Sequence, residues 1–140
     1  MKSYNGFSPA QRTRALAWLK KEYEAGRRQP PTVCQACGQT EGIIEAHSED
    51  YSEPYGDHIG AYSFCYTCHM MLHCRFRNPQ AWERYKEAIR RGVRYRPVYR
   101  RDFNAIVPFL NGQEVEHSCH QAQGCCLLDD IVSGACRRGG

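Results

Sequence analysis

The sequence predicts an α+β fold in which a small metal-stapled core carries α-helices on either side, and three observations support that expectation. Two paired-cysteine knuckles, Cys34-Gln35-Ala36-Cys37 and Cys65-Tyr66-Thr67-Cys68, bracket a stretch with two short β-prone runs. A capping residue followed by proline, the usual start of a helix, occurs before them at Ser8-Pro9 and after them at Asn78-Pro79. At 140 residues the chain has room for one compact unit.

The first element is a helix running from Ser8 to about Gly26. Ser8 can cap it, Pro9 suits the first helical position, and Gln11 can close a capping box. Leu16, Leu19 and Tyr23, with Ala15 and Trp18 beside them, form an apolar stripe that should face the core. Pro30-Pro31 then makes an extended link into the first knuckle, so residues 1–32 read as a helix plus linker.

Residues 33–77 read as the core. Gly42 to His47 and Gly60 to Phe64 should be two short strands, joined by a polar loop containing Pro54 and Gly56. A helix from about Cys65 to Arg77 should follow, with Cys68, His69 and His73 on neighbouring turns. Residues 78–101 form a basic helix and arm: Trp82, Tyr85 and Ile89 give the helix its buried stripe, and Gly92 stops it. In the arm and the extension 102–140, Tyr95 to Tyr99 and Ala105 to Leu110 read as short strands, and Gly112 to Gly140 as loop-rich.

The cysteines are best read as metal ligands. A thiolate pair two residues apart grips an ion from a tight turn, and two such pairs complete a tetrahedral shell. Cys34, Cys37, Cys65 and Cys68 are therefore expected to hold one structural Zn²⁺. His69 and His73 lie four apart, on one face of a helix, and with His47 they offer a second, more open site for Mg²⁺, Mn²⁺, Ni²⁺ or Zn²⁺. The competing readings are that His47 lies in a loop or replaces a cysteine, and that His69 or His73 merely bonds a carboxylate. Glu49, Asp50, Glu53 and Asp57 read as a solvated acidic loop rather than ligands, with Asp50 and Tyr51 bracing its turn. Near the C-terminus His117, Cys119, His120, Cys125, Cys126 and Cys136 form another cluster, either a further zinc site of unfamiliar spacing or free thiols.

Charge is segregated. Residues 1–30 carry seven Lys/Arg against two acids, residues 31–74 six acids and no Lys/Arg, and residues 75–101 ten Lys/Arg against two acids. Basic edges around an acidic, metal-binding centre suit a polyanion such as DNA, or a nucleoprotein complex. Nine of those ten cations are arginine, whose planar fork matches phosphate, so Arg75, Arg77, Arg84, Arg90, Arg91, Arg94 and Arg96 are the candidate nucleic-acid contacts. No apolar run approaches a membrane span and no basic-then-apolar leader begins the sequence. With nine cysteines, an odd number, paired in metal-ligand spacing, the expectation is a reducing, cytoplasmic compartment and no membrane partner. The oligomeric state is not encoded legibly.

The stretches Glu45-Ala46-His47-Ser48-Glu49-Asp50-Tyr51-Ser52-Glu53-Pro54 and Cys65-Tyr66-Thr67-Cys68-His69-Met70-Met71-Leu72-His73, behind the first knuckle, resemble the HNH, or ββα-metal, endonucleases, especially the small zinc-knuckle forms common in phages. The resemblance covers residues 33 to about 77, about a third of the chain. It implies a zinc-stapled ββα-metal core, a divalent ion on His47, His69 and His73, hydrolysis of DNA phosphodiesters, and a phage-encoded protein inside a bacterial host. The family's general base, a second histidine, falls on Ser48, whose hydroxyl has no useful proton affinity near neutral pH. The family's middle asparagine has no counterpart either. His58 in the same loop, or a cation that acidifies its water, could take over the base's work. The alternative is an inactive binding module of the same descent, for example a phage factor that blocks or redirects a host complex.

Overall fold

A computed structural model gives the fold, and residues 1–119, 128, 129 and 131 are described. The chain is a small mixed α+β structure with two small antiparallel sheets. Helix α1 (Pro9–Glu24) begins as expected: Ser8 Oγ accepts from the Gln11 amide at 3.1 Å, and the Gln11 side chain accepts from the Ser8 amide at 2.7 Å. Ala15 and Leu19 are its buried positions, with Leu16, Trp18 and Tyr23 half-buried around them.

Strands β1 (Ile44–His47) and β2 (Tyr62–Cys65) pair antiparallel with Glu45 opposite Phe64 and His47 opposite Tyr62. The chain passes from β2 directly into α2 (Tyr66–His73), so strand, strand and helix are consecutive in space as in sequence. The helix is shorter than the expected reach to Arg77. It stops because Arg75 folds its guanidinium back onto the Leu72 carbonyl at 2.9 Å, and Asn78 must turn out to cap the next helix by accepting from the Ala81 amide. That helix, α3 (Pro79–Arg90), buries Trp82, Tyr85 and Ile89, the stripe read from the sequence.

Beyond Gly92 the expectations need correction. Strand β3 covers only Val93–Tyr95, since Pro97 has no amide to continue a ladder. Phe103–Ala105 is a 3₁₀ turn capped by Asp102, and α4 (Val107–Leu110) is a short helix with Pro108 in its first turn, where Ala105 to Leu110 was expected as a strand. Gly112 onward is not all loop: β4 (His117–Cys119) pairs antiparallel with β3. His120, Cys125, Cys126, Cys136 and the Cys119 side chain lie outside the described residues, as does the metal reading placed on them. Among the described residues no helix is long and apolar enough to cross a membrane.

Two apolar clusters frame the β1–β2–α2 unit. The larger one packs Phe64, Met71 and Leu72 with Trp82, Tyr85, Ile89 and Ile106 around the knuckles. The smaller joins Tyr4, Ala15, Leu19, Tyr51 and Ile59, binding α1 to the loop after β1. Two close approaches lock the periphery on. Gly42, at φ +72°, leaves no room for a side chain beside the Val98 carbonyl, which accepts from the Ile43 amide at 2.8 Å. Gly60, at φ +64°, admits the Leu19 side chain from α1.

Candidate metal centres

The first knuckle is a tight turn in which the Gly38 amide bonds the Cys34 carbonyl and the Cys34 amide bonds the Gln39 carbonyl, each at 2.8 Å. The second sits at the β2–α2 junction, where Cys65 caps the helix and its sulfur accepts from the Cys68 amide at 3.5 Å. The four sulfurs lie within 4.8 Å of one another, and all four cysteines are free thiols. Cys37 Sγ and Cys65 Sγ are 3.8 Å apart, far from a disulfide's ~2.0 Å. Zinc–sulfur bonds of about 2.3 Å at tetrahedral angles put sulfurs about 3.8 Å apart, so the donor set and its spacing fit one zinc ion. Electrostatics agree. Without a cation the sulfurs must share protons among themselves, so hydrogen bonds from Cys37 pull Cys34 far down while hydrogen bonding with Cys34 pushes Cys68 up. The buried Tyr85 hydroxyl, 3.0 Å from Cys68 Sγ, braces the cluster from α3.

The second cluster gathers His47 from the end of β1 with His69 and His73 from α2. His47 Nδ1 is 3.0 Å from His69 Nε2, and His73 Nε2 is 3.1 Å from the same atom. The outer nitrogens of two rings are engaged by carboxylates: His47 Nε2 meets Glu49 at 2.5 Å, and His69 Nδ1 meets Glu45 at 2.7 Å. Those bonds place each ring's proton on its outer nitrogen, so the inner atoms of His47 and His69 face each other as bare lone pairs. Two lone pairs 3.0 Å apart repel unless a cation lies between them. Nitrogens bound to one ion at 2.0–2.1 Å and tetrahedral angles sit about 3.3 Å apart, so the trio fits a divalent ion with a fourth position unfilled by protein. Burial holds His47 down to about 4 and His73 to about 2, which keeps both rings neutral and able to ligate at neutral pH.

The carboxylates are themselves held. Burial alone would raise the Glu49 carboxyl, but hydrogen bonds from His47 and Tyr4 outweigh it and keep it at about 2. Glu49 also takes Arg75 at 3.4 Å and the Asn5 side chain at 3.1 Å. It is buried, which corrects its reading as part of a solvated loop. Glu45 is bonded by Arg101, whose guanidinium also lies over Tyr66. The Tyr4 ring stands 5.0 Å from His73 and 5.7 Å from His47, between the guanidinium groups of Arg12 and Arg75. His47 is sealed, its side chain 1% exposed, whereas that of His69 is 12% exposed, so the centre opens toward α2.

The other sequence-derived candidates are scattered. Ser48 is buried and its hydroxyl accepts from the Gly60 amide at 2.6 Å, which makes it a brace for the loop. His58 bonds the Ser52 carbonyl at 2.7 Å and is not a member of the imidazole trio. Asp50 does brace its turn, accepting from the Ser52 amide at 2.9 Å. Among the arginines, Arg75 is buried on Glu49 and Leu72, and Arg94 donates to the carbonyls of Ile89 and Val93. Arg90 pairs with Glu87 and Asp129, Arg96 with Glu116, and Arg84 reaches the Phe109 carbonyl. Arg77 and Arg91 are exposed.

Sequence reasoning missed Glu45, Glu49, Tyr4 and Arg101 as parts of the histidine centre. Glu45 had a signal: two residues before His47 on a strand, it must share that histidine's face. Tyr4 had none, since only the tertiary fold brings residue 4 to residue 49. Compared with protein-family models, with curated proteins and with solved structures, the chain matches none.

Proposed function

We propose that the chain is a metal-dependent endonuclease of the HNH, ββα-metal type acting on DNA phosphodiesters, with Cys34, Cys37, Cys65 and Cys68 holding a structural zinc. The observation that carries the reading is the convergence of His47 Nδ1 and His73 Nε2 on His69 Nε2, at 3.0 and 3.1 Å, with His47 and His69 backed by carboxylates. A divalent ion there would supply positive charge to a phosphodiester oxygen and to the leaving oxygen. Glu45 and Glu49 fix the rings, so the ligands need no rearrangement when a substrate arrives. The sealed His47 side excludes water, and the partly exposed His69 and His73 side is where a phosphate can approach. On this reading the exposed Arg77 and Arg91 supply contacts to the nucleic-acid backbone.

A specific observation favours a second reading. Ser48, at the family's general-base position, spends its hydroxyl on the Gly60 amide, so position 48 offers no proton acceptor. On that reading the centre is a binding module for nucleic acid or a nucleoprotein complex. Incubating the protein with supercoiled plasmid and Mg²⁺, Mn²⁺ or Ni²⁺ decides between them. Nicking that disappears in His73→Ala supports the nuclease; retained DNA binding without nicks supports the module; absence of both sinks the nucleic-acid reading.

A further inference from the structure

Two of the arginines that buttress the histidine centre are neighbours of aromatic rings that the fold leaves in solvent. Arg75, which bonds Glu49 behind His47, is followed by Phe76, whose ring lies 4.2 Å from the Arg75 guanidinium carbon yet is 69% exposed. Arg101, which bonds Glu45 behind His69, is preceded by Arg100 and by Tyr99, which is 71% exposed. Both rings are held from neighbouring residues. The turn at 74–77 is closed by the Arg77 and Asn78 amides on the Cys74 carbonyl, and the 98–101 segment is pinned at one end by Val98 on Ile43 and at the other by Arg101 on Glu45. Among the described residues no hydrogen bond or ring contact engages Tyr99, and the Arg75 guanidinium is the one cation or ring lying over Phe76.

A large ring left in water, with an arginine over it at Phe76 and one next in sequence at Tyr99, is suited to stack a base beside a centre that takes phosphate. Paired bases in a duplex have their faces covered by their neighbours; unpaired bases present them. We infer that Phe76 and Tyr99 are stacking platforms, one on each buttress, with Arg77 and Arg100 taking the adjoining phosphates, and that the centre selects single-stranded or locally unpaired nucleic acid over intact duplex. This rests on the nucleic-acid reading above and narrows its substrate class.

The test is a fluorescence titration of a single-stranded oligonucleotide carrying 2-aminopurine, beside the duplex of the same sequence, with the zinc-loaded full chain. Wild type should bind the single strand more tightly and change the 2-aminopurine emission on binding. Phe76→Ala and Tyr99→Ala should each weaken single-strand affinity by about fivefold to a hundredfold, while duplex affinity moves less than twofold. Phe76→Trp and Tyr99→Phe should retain wild-type affinity, and zinc content should be unchanged in all four. Equal losses on both substrates, or no loss from either alanine variant, overturn the platforms while leaving the nucleic-acid reading intact. Failure of wild type to bind either substrate at low salt overturns both.

Discussion

The sulfur cluster and the imidazole cluster sit side by side on one helix, yet their surroundings are opposite. Cys34, Cys65 and Cys68 belong to the larger apolar core, and the main polar contact to their sulfurs from another element is the Tyr85 hydroxyl. His47, His69 and His73 lie between the two apolar clusters among Glu45, Glu49, Arg75, Arg101 and Tyr4. Four ligands and a dry surround make a closed site, suited to folding energy. Three ligands, braced rings and one open side make a site suited to an exchangeable fourth partner. Adjacency ranks them: Cys68 and His69 are consecutive, so the imidazoles depend on a helix whose start the sulfurs fix, whereas the sulfurs need nothing from the imidazoles.

The largest expected effect comes from striking the sulfur side. Cys68→Ser, or a strong chelator, should abolish the cooperative thermal transition, because structural zinc in small domains contributes on the order of 10 kcal/mol or more to folding. Circular dichroism with metal analysis reads this, and a sharp melt in zinc-free protein would break the ranking. His73→Ala should leave that melt within a few degrees and the sulfur-bound zinc in place while removing the second metal equivalent. Loss of both metals together would show one coupled site. Glu45→Gln should weaken the imidazole-site ion by about 10- to 100-fold in competition titrations, with the sulfur site unaffected.

Acidity should separate the two clusters as well. With the imidazole site empty, burial holds the folded pKa of His47 at about 4, below an ordinary 6.5. A histidine kept neutral by the fold contributes stability that is present above the unfolded value and is lost as pH falls from 6.5 toward 4. Melting temperature should therefore decline across pH 6.5 to 5, and filling the imidazole site should flatten that decline. The smallest effect belongs to Arg96→Ala: its exposed pair with Glu116 contributes under about 1 kcal/mol to stability. Nucleic-acid affinity should nevertheless fall, with a salt slope shallower by about one.

How legible the two regions were follows from the same contrast. The knuckle spacing picked out all four cysteines of the sulfur cluster, since two residues between cysteines is a local constraint that a turn must satisfy. The i, i+4 histidines on a helix were equally local, and the capped helix starts at Ser8 and Asn78 appeared where their chemistry placed them. What escaped was nonlocal. Glu49 looks like any acid in a polar loop until Tyr4, Asn5 and Arg75 arrive from elsewhere to bury it. Arg75 looked like a phosphate ligand for the same reason in reverse. The segment after Gly92 misled because Tyr, Val and Ile have β propensity, whereas Pro97, Asp102 and Pro108 set the backbone there.

Tyr4 reaches Glu49 across 45 positions, and Asn5 fastens the backbone beside it. The rim of the imidazole pocket is thus built partly from the opening residues of the sequence. A bulky label attached at Tyr4 or Asn5 should therefore disturb the imidazole site before it disturbs the sulfurs, because Glu49 behind His47 would lose its partners first.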